Sequence, residues 1–341
     1  MAKTKIFITQ PIAQSAIDRL EQRGDVEIKV HPDASKIIPY DTLMDEVMRC
    51  DILYCLLHDV VDKKIMQANP NLRAVASQSI TPDRIDVKGA TEIGMPVTVI
   101  PAVVTDATAD IAFGLLLCVA RRILEADRFV RAGGYPGAQS ALFLGGDVSG
   151  KTLGLVGGRG RIGKATGVRG KGFGMKVIYW GPNRMTPEDE AEFGFEYVEY
   201  EELFKQSDFV SVHAAERPET IHLISDKEFK LMKKSAYIIN TARGPIIDEK
   251  AMVRALQNGE IAGAGLDVYE NEPQIEEELF AMDNVVLAPH LGSAGKDVRE
   301  GMAHRVVDNI EALIDGTTDT FLKMGQKQSS TMLRFMTFNF R

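Results

Sequence analysis

The sequence predicts an α/β protein of two doubly wound parallel-sheet domains, and three observations predict it. Short apolar runs alternate with amphipathic helical stretches along most of the chain, the pattern of parallel strands covered by helices. A strand, a glycine-rich turn, a helix and a second strand follow one another across 152–180. The 341 residues are many for one hydrophobic core and suit two.

In the first hundred residues, strands are expected at 5–9, 26–30, 52–57, 72–76 and 97–100. Helices are expected at 13–23, stopped by Gly24, at 40–48 and at 62–68. Pro101 begins a change. A long helix is expected from about 107 to 130, apolar at helical spacing through Ile111, Leu115, Cys118 and Val119. The glycine-rich stretch 133–150 has no period and reads as a loop or arm.

The second half is expected to hold six strands, at 152–156, 177–180, 209–212, 236–239, 264–267 and 285–288. Helices lie between them at about 162–173, 201–206, 226–231, 248–258 and 276–280. A last helix, about 297–315, carries Val298, Met302, Val306, Ile310 and Leu313 on one face and is expected to return to the first domain. The tail 326–341 is apolar without period and receives no role.

Composition narrows the partners. Forty-eight acidic against 40 basic residues give a net charge of −8, which disfavours nucleic acid. The most apolar stretch, about 111–120, is too short to span a bilayer, and no leader peptide is visible. Three cysteines, Cys50, Cys55 and Cys118, have no metal-type spacing and fit a reducing compartment. A cytoplasmic protein with no membrane partner and no metal is expected.

Gly158, Arg159, Gly160, Arg161, Ile162 and Gly163 form G-x-G-x-x-G between a strand and a helix. The first glycine permits a tight turn and the second lets backbone N–H groups approach a pyrophosphate. The third lets the helix pack close, its N-terminal dipole aimed at negative charge. A dinucleotide site is expected there. Three polar residues follow later strands: Arg243 in Asn240-Thr-Ala-Arg-Gly244, Glu272 in Leu266-Asp-Val-Tyr-Glu-Asn-Glu-Pro273, and His290 in Ala288-Pro-His-Leu-Gly-Ser293. Ligands of such sheets bind at the C-terminal ends of strands. Arginine can grip a carboxylate in a fork, histidine can supply a proton near neutral pH, and a carboxylate beside it favours and orients the imidazolium. That set suits reduction of a 2-oxo acid.

With these motifs, and with Val212-His-Ala-Ala215 and Pro218-Glu-Thr220, the chain from about 5 to about 315 resembles the D-isomer-specific 2-hydroxyacid dehydrogenases, most of all their glyoxylate/hydroxypyruvate reductase branch. The resemblance implies a Rossmann cofactor domain (101–291) inserted into a flavodoxin-like substrate domain (1–100, completed by 292–325). It implies Arg243, Glu272 and His290 as the catalytic set, with Arg243 and His290 also binding substrate. Asp267 would help hold the nicotinamide carboxamide, Thr108 and Ala242 would contact the cofactor, and the protein would be a homodimer with the 133–150 arm near the contact. His213 reads as a structural residue at a strand end.

Two places depart from the family pattern. Thr81-Pro82 occupies a turn that usually contains glycine and whose N–H groups hold the substrate carboxylate; proline has none. Ser79, Ile80 and Thr81 are still expected to bind substrate, with Ser77, Gln78 or Ser79 supplying side-chain donors. After Trp180, where NAD enzymes usually place Asp or Glu, this chain has Gly181-Pro-Asn-Arg184. Asn183 and Arg184 are available donors, so NADP(H) is the preferred cofactor, with NAD(H) the alternative. The glycine turn is one residue longer than usual, and Gly167 and Gly170 weaken its helix, which suggests modest cofactor affinity. Within the family, 2-ketogluconate, D-lactate, phosphoglycerate and phosphite types are alternatives; outside enzymes, a nicotinamide-sensing scaffold is another.

Overall fold

The computed structural model describes residues 2–317, so the tail 326–341 and the end of the expected 292–325 segment lie outside the described residues. The described residues divide into two compact units, 2–103 with 296–317, and 104–295.

In the first unit, β1 (Thr4–Ile8), β2 (Val26–Val30), β3 (Ile52–Cys55), β4 (Ala74–Ser77) and β5 (Val97–Thr98) form one parallel sheet. Its order, β2-β1-β3-β4-β5, is the flavodoxin-like one. Helices α1 (Gln14–Glu21), α2 (Tyr40–Val47), α3 (Lys63–Gln67) and α4 (Val87–Ile93) connect the strands. The sequence reading passed over α4, although it has both stops: the Asp86 carboxylate caps it through the N–H of Gly89 at 2.8 Å, and Gly94 ends it in the left-handed region at φ 71°. β3 and β4 are buried at every position, as continuous apolar runs between two helical layers should be. Cys50 and Cys55 belong to this core, and burial pushes both thiols up to about 12.

In the second unit, α5 (Thr105–Ala120) and α6 (Ile123–Arg131) precede β6 (Thr152–Val156), α7 (Arg161–Gly172), β7 (Lys176–Trp180), α8 (Pro187–Phe193), β8 (Phe195–Tyr197), α9 (Tyr200–Gln206) and β9 (Phe209–Val212). Then come α10 (Asp226–Leu231), β10 (Tyr237–Asn240), α11 (Glu249–Gln257), β11 (Gly263–Leu266) and β12 (Val285–Leu287). The sheet is parallel, with order β12-β11-β10-β9-β6-β7-β8. The order reverses at β6, so the turn after β6 and the segment after β9 flank the switch point where such sheets bind ligands. The last helix, α12 (Lys296–Asp315), belongs to the first unit, where Arg19 of α1 meets Asp308 at 2.8 Å and Glu311 at 2.5 Å.

Two expectations change. The sheet has seven strands, because short β8 had too few residues to show a period. The expected 107–130 helix is two helices. Arg122 sits in the left-handed region at φ 52°, and the Ala120 carbonyl accepts the N–H of Gly146 at 2.8 Å from the glycine-rich stretch. The apolar face also ends there: α5 buries eight residues and α6 none. Asymmetric burial, rather than helix propensity, decides the break.

Candidate active site

Among residues 157–163, the glycine turn is a single β-turn. The N–H of Gly160 donates to Gly157 O at 3.0 Å, and Gly157, at φ 86°, is the residue the left-handed region demands. A Cβ on Gly158 would lie 2.5 Å from Cβ of Tyr179, and one on Gly163 2.8 Å from Cα of Gly158. Gly163 therefore lets α7 start against the turn. A Cβ on Gly160 would come within 3.2 Å of Gly157 O, a tight approach, so the turn favours glycine here too. Arg159, Gly160 and Arg161 are exposed at the N-terminus of α7 and Ile162 is half-buried.

At the ends of β9 and β10, two enclosed polar atoms have no hydrogen-bond partner among the described residues: Nδ1 of His213 and Oγ1 of Thr241. His213 Nε2 is 2.9 Å from Ser211 Oγ. Burial pushes the His213 ring down to about 3. A tight glycine turn at a helix N-terminus, with the His213 backbone against it and partnerless polar atoms at the ends of β9 and β10, fits a dinucleotide. Past β7, Asn183 and Arg184 are exposed. Arg184 forks onto Glu190 with both contacts at 2.7 Å and lies over the Tyr197 ring, 5.3 Å from its centroid. Tyr179 OH donates to the same Glu190 at 2.6 Å. With Arg184 as the larger cause, Glu190 is drawn down to about 2.

Arg243, Glu272 and His290 lie beyond the C-terminal ends of β10, β11 and β12, which are neighbours in the sheet. Asn240 sets the first loop: its Nδ2 donates to Arg243 O at 3.0 Å and its Oδ1 accepts the N–H of Ala242 at 3.0 Å. Arg243 Nη1 donates to Ala242 O at 2.7 Å. The next loop presses on it, since a Cβ on Gly244 would fall 1.8 Å from Tyr269 O. Glu272 Oε1 accepts the N–H of Tyr269 at 3.0 Å, and Oε2 lies 3.1 Å from His290 Nδ1. Both side chains are largely buried, 15% and 18% exposed, so their attraction is weakly screened.

His290 occupies the left-handed region at φ 56°, a costly place for a residue with a Cβ. Asp267 holds it there. The Asp267 backbone carbonyl accepts the N–H of His290 at 3.0 Å, and its carboxylate accepts those of Leu291 at 2.6 Å and Gly292 at 2.7 Å. Thr108 Oγ1 donates to Gly292 O at 2.9 Å. Thr108 thus ties α5 to the His290 loop. Burial raises the Asp267 carboxyl, against the pull of the two N–H donors and the imidazole.

In the first unit, the turn after β4 is internally bonded. Ser77 and Ser79 hydroxyls are 2.7 Å apart, Ser79 Oγ donates to Thr81 O at 2.7 Å, and Thr81 Oγ1 donates to Asp83 at 2.7 Å. Tyr54 OH donates to Gln78 Oε1. The Ser79 hydrogen is thereby directed into its own turn, and Ile80 is half-buried. Sequence reasoning missed Thr241 and Glu249. Thr241 looks like any strand-end threonine, and Glu249 reads as an ordinary acidic residue in a first helical turn.

The family model described as "D-isomer specific 2-hydroxyacid dehydrogenase, NAD binding domain" matches residues 113–292. The glyoxylate reductase of Thermococcus litoralis is 48% identical over 318 residues, covering 92% of this chain and 95% of that protein. The crystal structure of TT0316 protein from Thermus thermophilus matches with a TM-score of 0.84 at 38% identity, covering 92% of this chain and 97% of that one. An NADPH-dependent glyoxylate/hydroxypyruvate reductase of Sinorhizobium meliloti, solved with NADP and malonate, matches with a TM-score of 0.76 at 31% identity, covering 92% and 94%.

Proposed function

The chain belongs to the D-isomer specific 2-hydroxyacid dehydrogenase family, and on that premise we propose that it reduces a small 2-oxo acid of the glyoxylate or hydroxypyruvate kind to the 2-hydroxy acid, with NADPH preferred over NADH. The observation that carries this reading is the largely buried Glu272–His290 pair, with the Glu272 loop packed against that of Arg243. A bound nicotinamide supplies the hydride. Arg243 binds the substrate carboxylate and draws electron density from the adjacent carbonyl. His290 holds the proton that the carbonyl oxygen takes as it becomes an alcohol, and Glu272, 3.1 Å from its Nδ1, fixes the plane of the ring. Asp267 keeps the His290 backbone in its strained conformation. Ser79, Ile80 and Thr81 are assigned substrate contact.

The 157–163 turn, with Thr108, Ala242 and Asp267, is assigned to the cofactor. NADPH preference rests on β7 ending without a carboxylate and on Asn183 and Arg184 beyond it. Glu190 has its charge offset by the Arg184 fork, which leaves the guanidinium oriented rather than swinging in solvent. A homodimer is supported by α6 and the stretch after it, which expose Ile123, Leu124, Val130, Tyr135 and Leu144. Among the described residues no helix is long and apolar enough to cross a membrane; a cytoplasmic location is part of the proposal. Following cofactor oxidation with a panel of 2-oxo acids and both cofactors tests the reading. Cofactor binding without turnover on any of them would favour a nicotinamide-sensing scaffold.

A further inference from the structure

Glu249, the first residue of α11, is 4% exposed. A buried carboxylate needs a reason. Its two oxygens accept two backbone N–H groups of the Glu272 loop, that of Glu270 at Oε2 and that of Glu276 at Oε1, both at 2.9 Å. These two residues bracket Glu272. The contact is reciprocal, since Glu270 Oε2 accepts the N–H of Glu249 at 3.0 Å. His222 Nε2 lies 2.7 Å from the other Glu270 oxygen, which fixes that carboxylate in turn. Burial raises the Glu249 carboxyl, and the neighbouring Glu270 and Glu276 charges add to this, while the two N–H bonds oppose them. An apolar residue here would fill the space without gripping the loop.

We infer that Glu249 is a positioning residue of the reaction: by pinning the loop on both sides of Glu272, it sets the distance from Glu272 to His290. This rests on the catalytic reading of that pair. Within its own loop the Glu272 carboxylate accepts the N–H of Tyr269. Glu249 holds the backbone of that loop before and after Glu272. Outer residues that orient catalytic ligands typically cost about 10–100-fold when removed.

The test uses the full-length protein with glyoxylate and reduced nicotinamide cofactor. Glu249→Gln replaces one acceptor oxygen by an amide that faces an N–H. Glu276→Pro removes a single N–H at a residue whose φ of −59° already suits proline, and serves if the first variant does not fold. Each is expected to lower kcat about 10–100-fold with cofactor Kd unchanged. In a Glu272→Gln background each is expected to lower kcat little further, because both changes spoil one element. Losses that multiply in the double variants, an unchanged kcat, or a rise in cofactor Kd that tracks the loss would each overturn the inference. His290→Ala separates the premise: if that variant keeps its turnover, the catalytic reading itself falls; if it loses turnover and the Glu249 coupling is absent, only the positioning role falls.

Discussion

Glu272 Oε2 lies 3.1 Å from Nδ1 of His290, while the other Glu272 oxygen accepts the backbone N–H of Tyr269. The carboxylate is thus fixed at one end by its own loop and at the other by the imidazole that it orients. The same loop presses on the residue following Arg243.

That packing leaves Arg243 a defined place from which to meet a carboxylate. Arg243→Lys keeps the charge and loses the fork. Since a charged hydrogen bond contributes roughly 1.5–3 kcal/mol, kcat/KM for glyoxylate should fall about 10–100-fold. The cofactor dissociation constant should not move. Initial-rate kinetics with a parallel fluorescence titration check both.

Cofactor choice is read from the residues after β7. The wild type should show a higher kcat/KM with NADPH than with NADH, and Arg184→Ala should narrow the gap by about tenfold or more. Steady-state rates with the two cofactors decide it; a wild-type preference for NADH would remove Arg184 from this role.

The glycines of α7 separate by what surrounds them. A Cβ on Gly167 would fall 2.3 Å from the Phe195 ring, so Gly167→Ala should destabilise by about 1–3 kcal/mol. Gly172 has nothing within 4 Å of such a Cβ, so Gly172→Ala should stabilise by up to about 1 kcal/mol. Urea unfolding of both variants measures the difference in sign. Read from sequence, Gly167 and Gly170 are only helix-weakening residues. In the fold they let α7 approach β6 and β8, a gain that propensity cannot register.

Acid stability should follow Glu190. Its carboxyl is drawn from 4.5 to about 2, first by Arg184 and then by Tyr179. A depressed folded value means stabilisation that is complete above the unfolded value and lost as pH falls toward the folded one. Glu190→Gln should therefore be less stable than wild type near neutrality, by about 1 kcal/mol or less because Arg184 is well exposed. The gap should close between about pH 4.5 and pH 2. Thermal midpoints of the two proteins across that range test the sign.

Much of the architecture was legible because buried parallel strands are apolar throughout and their loops carry polar punctuation. The expected strands lie close to the observed ones except for β8, which is three residues long. Helix α8 was missed although Thr186 caps it and Pro187 opens it, both local signals. The break after Ala120 was not legible, since it depends on a glycine-rich stretch that meets the helix end from far along the chain. The Arg243, Glu272 and His290 motifs stood out as motifs. The grip of Asp267 on three successive N–H groups, and that of Glu249 on the loop around Glu272, are made across the fold and leave no periodic trace.

The most direct measurement is glyoxylate-dependent oxidation of NADPH by the wild type and by His290→Ala, with cofactor Kd measured on the same preparations. The wild type should turn over. The variant should lose about 10²–10⁴ in kcat while its cofactor Kd stays the same, as removal of a general acid requires. Near-normal turnover in His290→Ala, or a wild type that binds cofactor and reduces no 2-oxo acid, would contradict the proposed reaction.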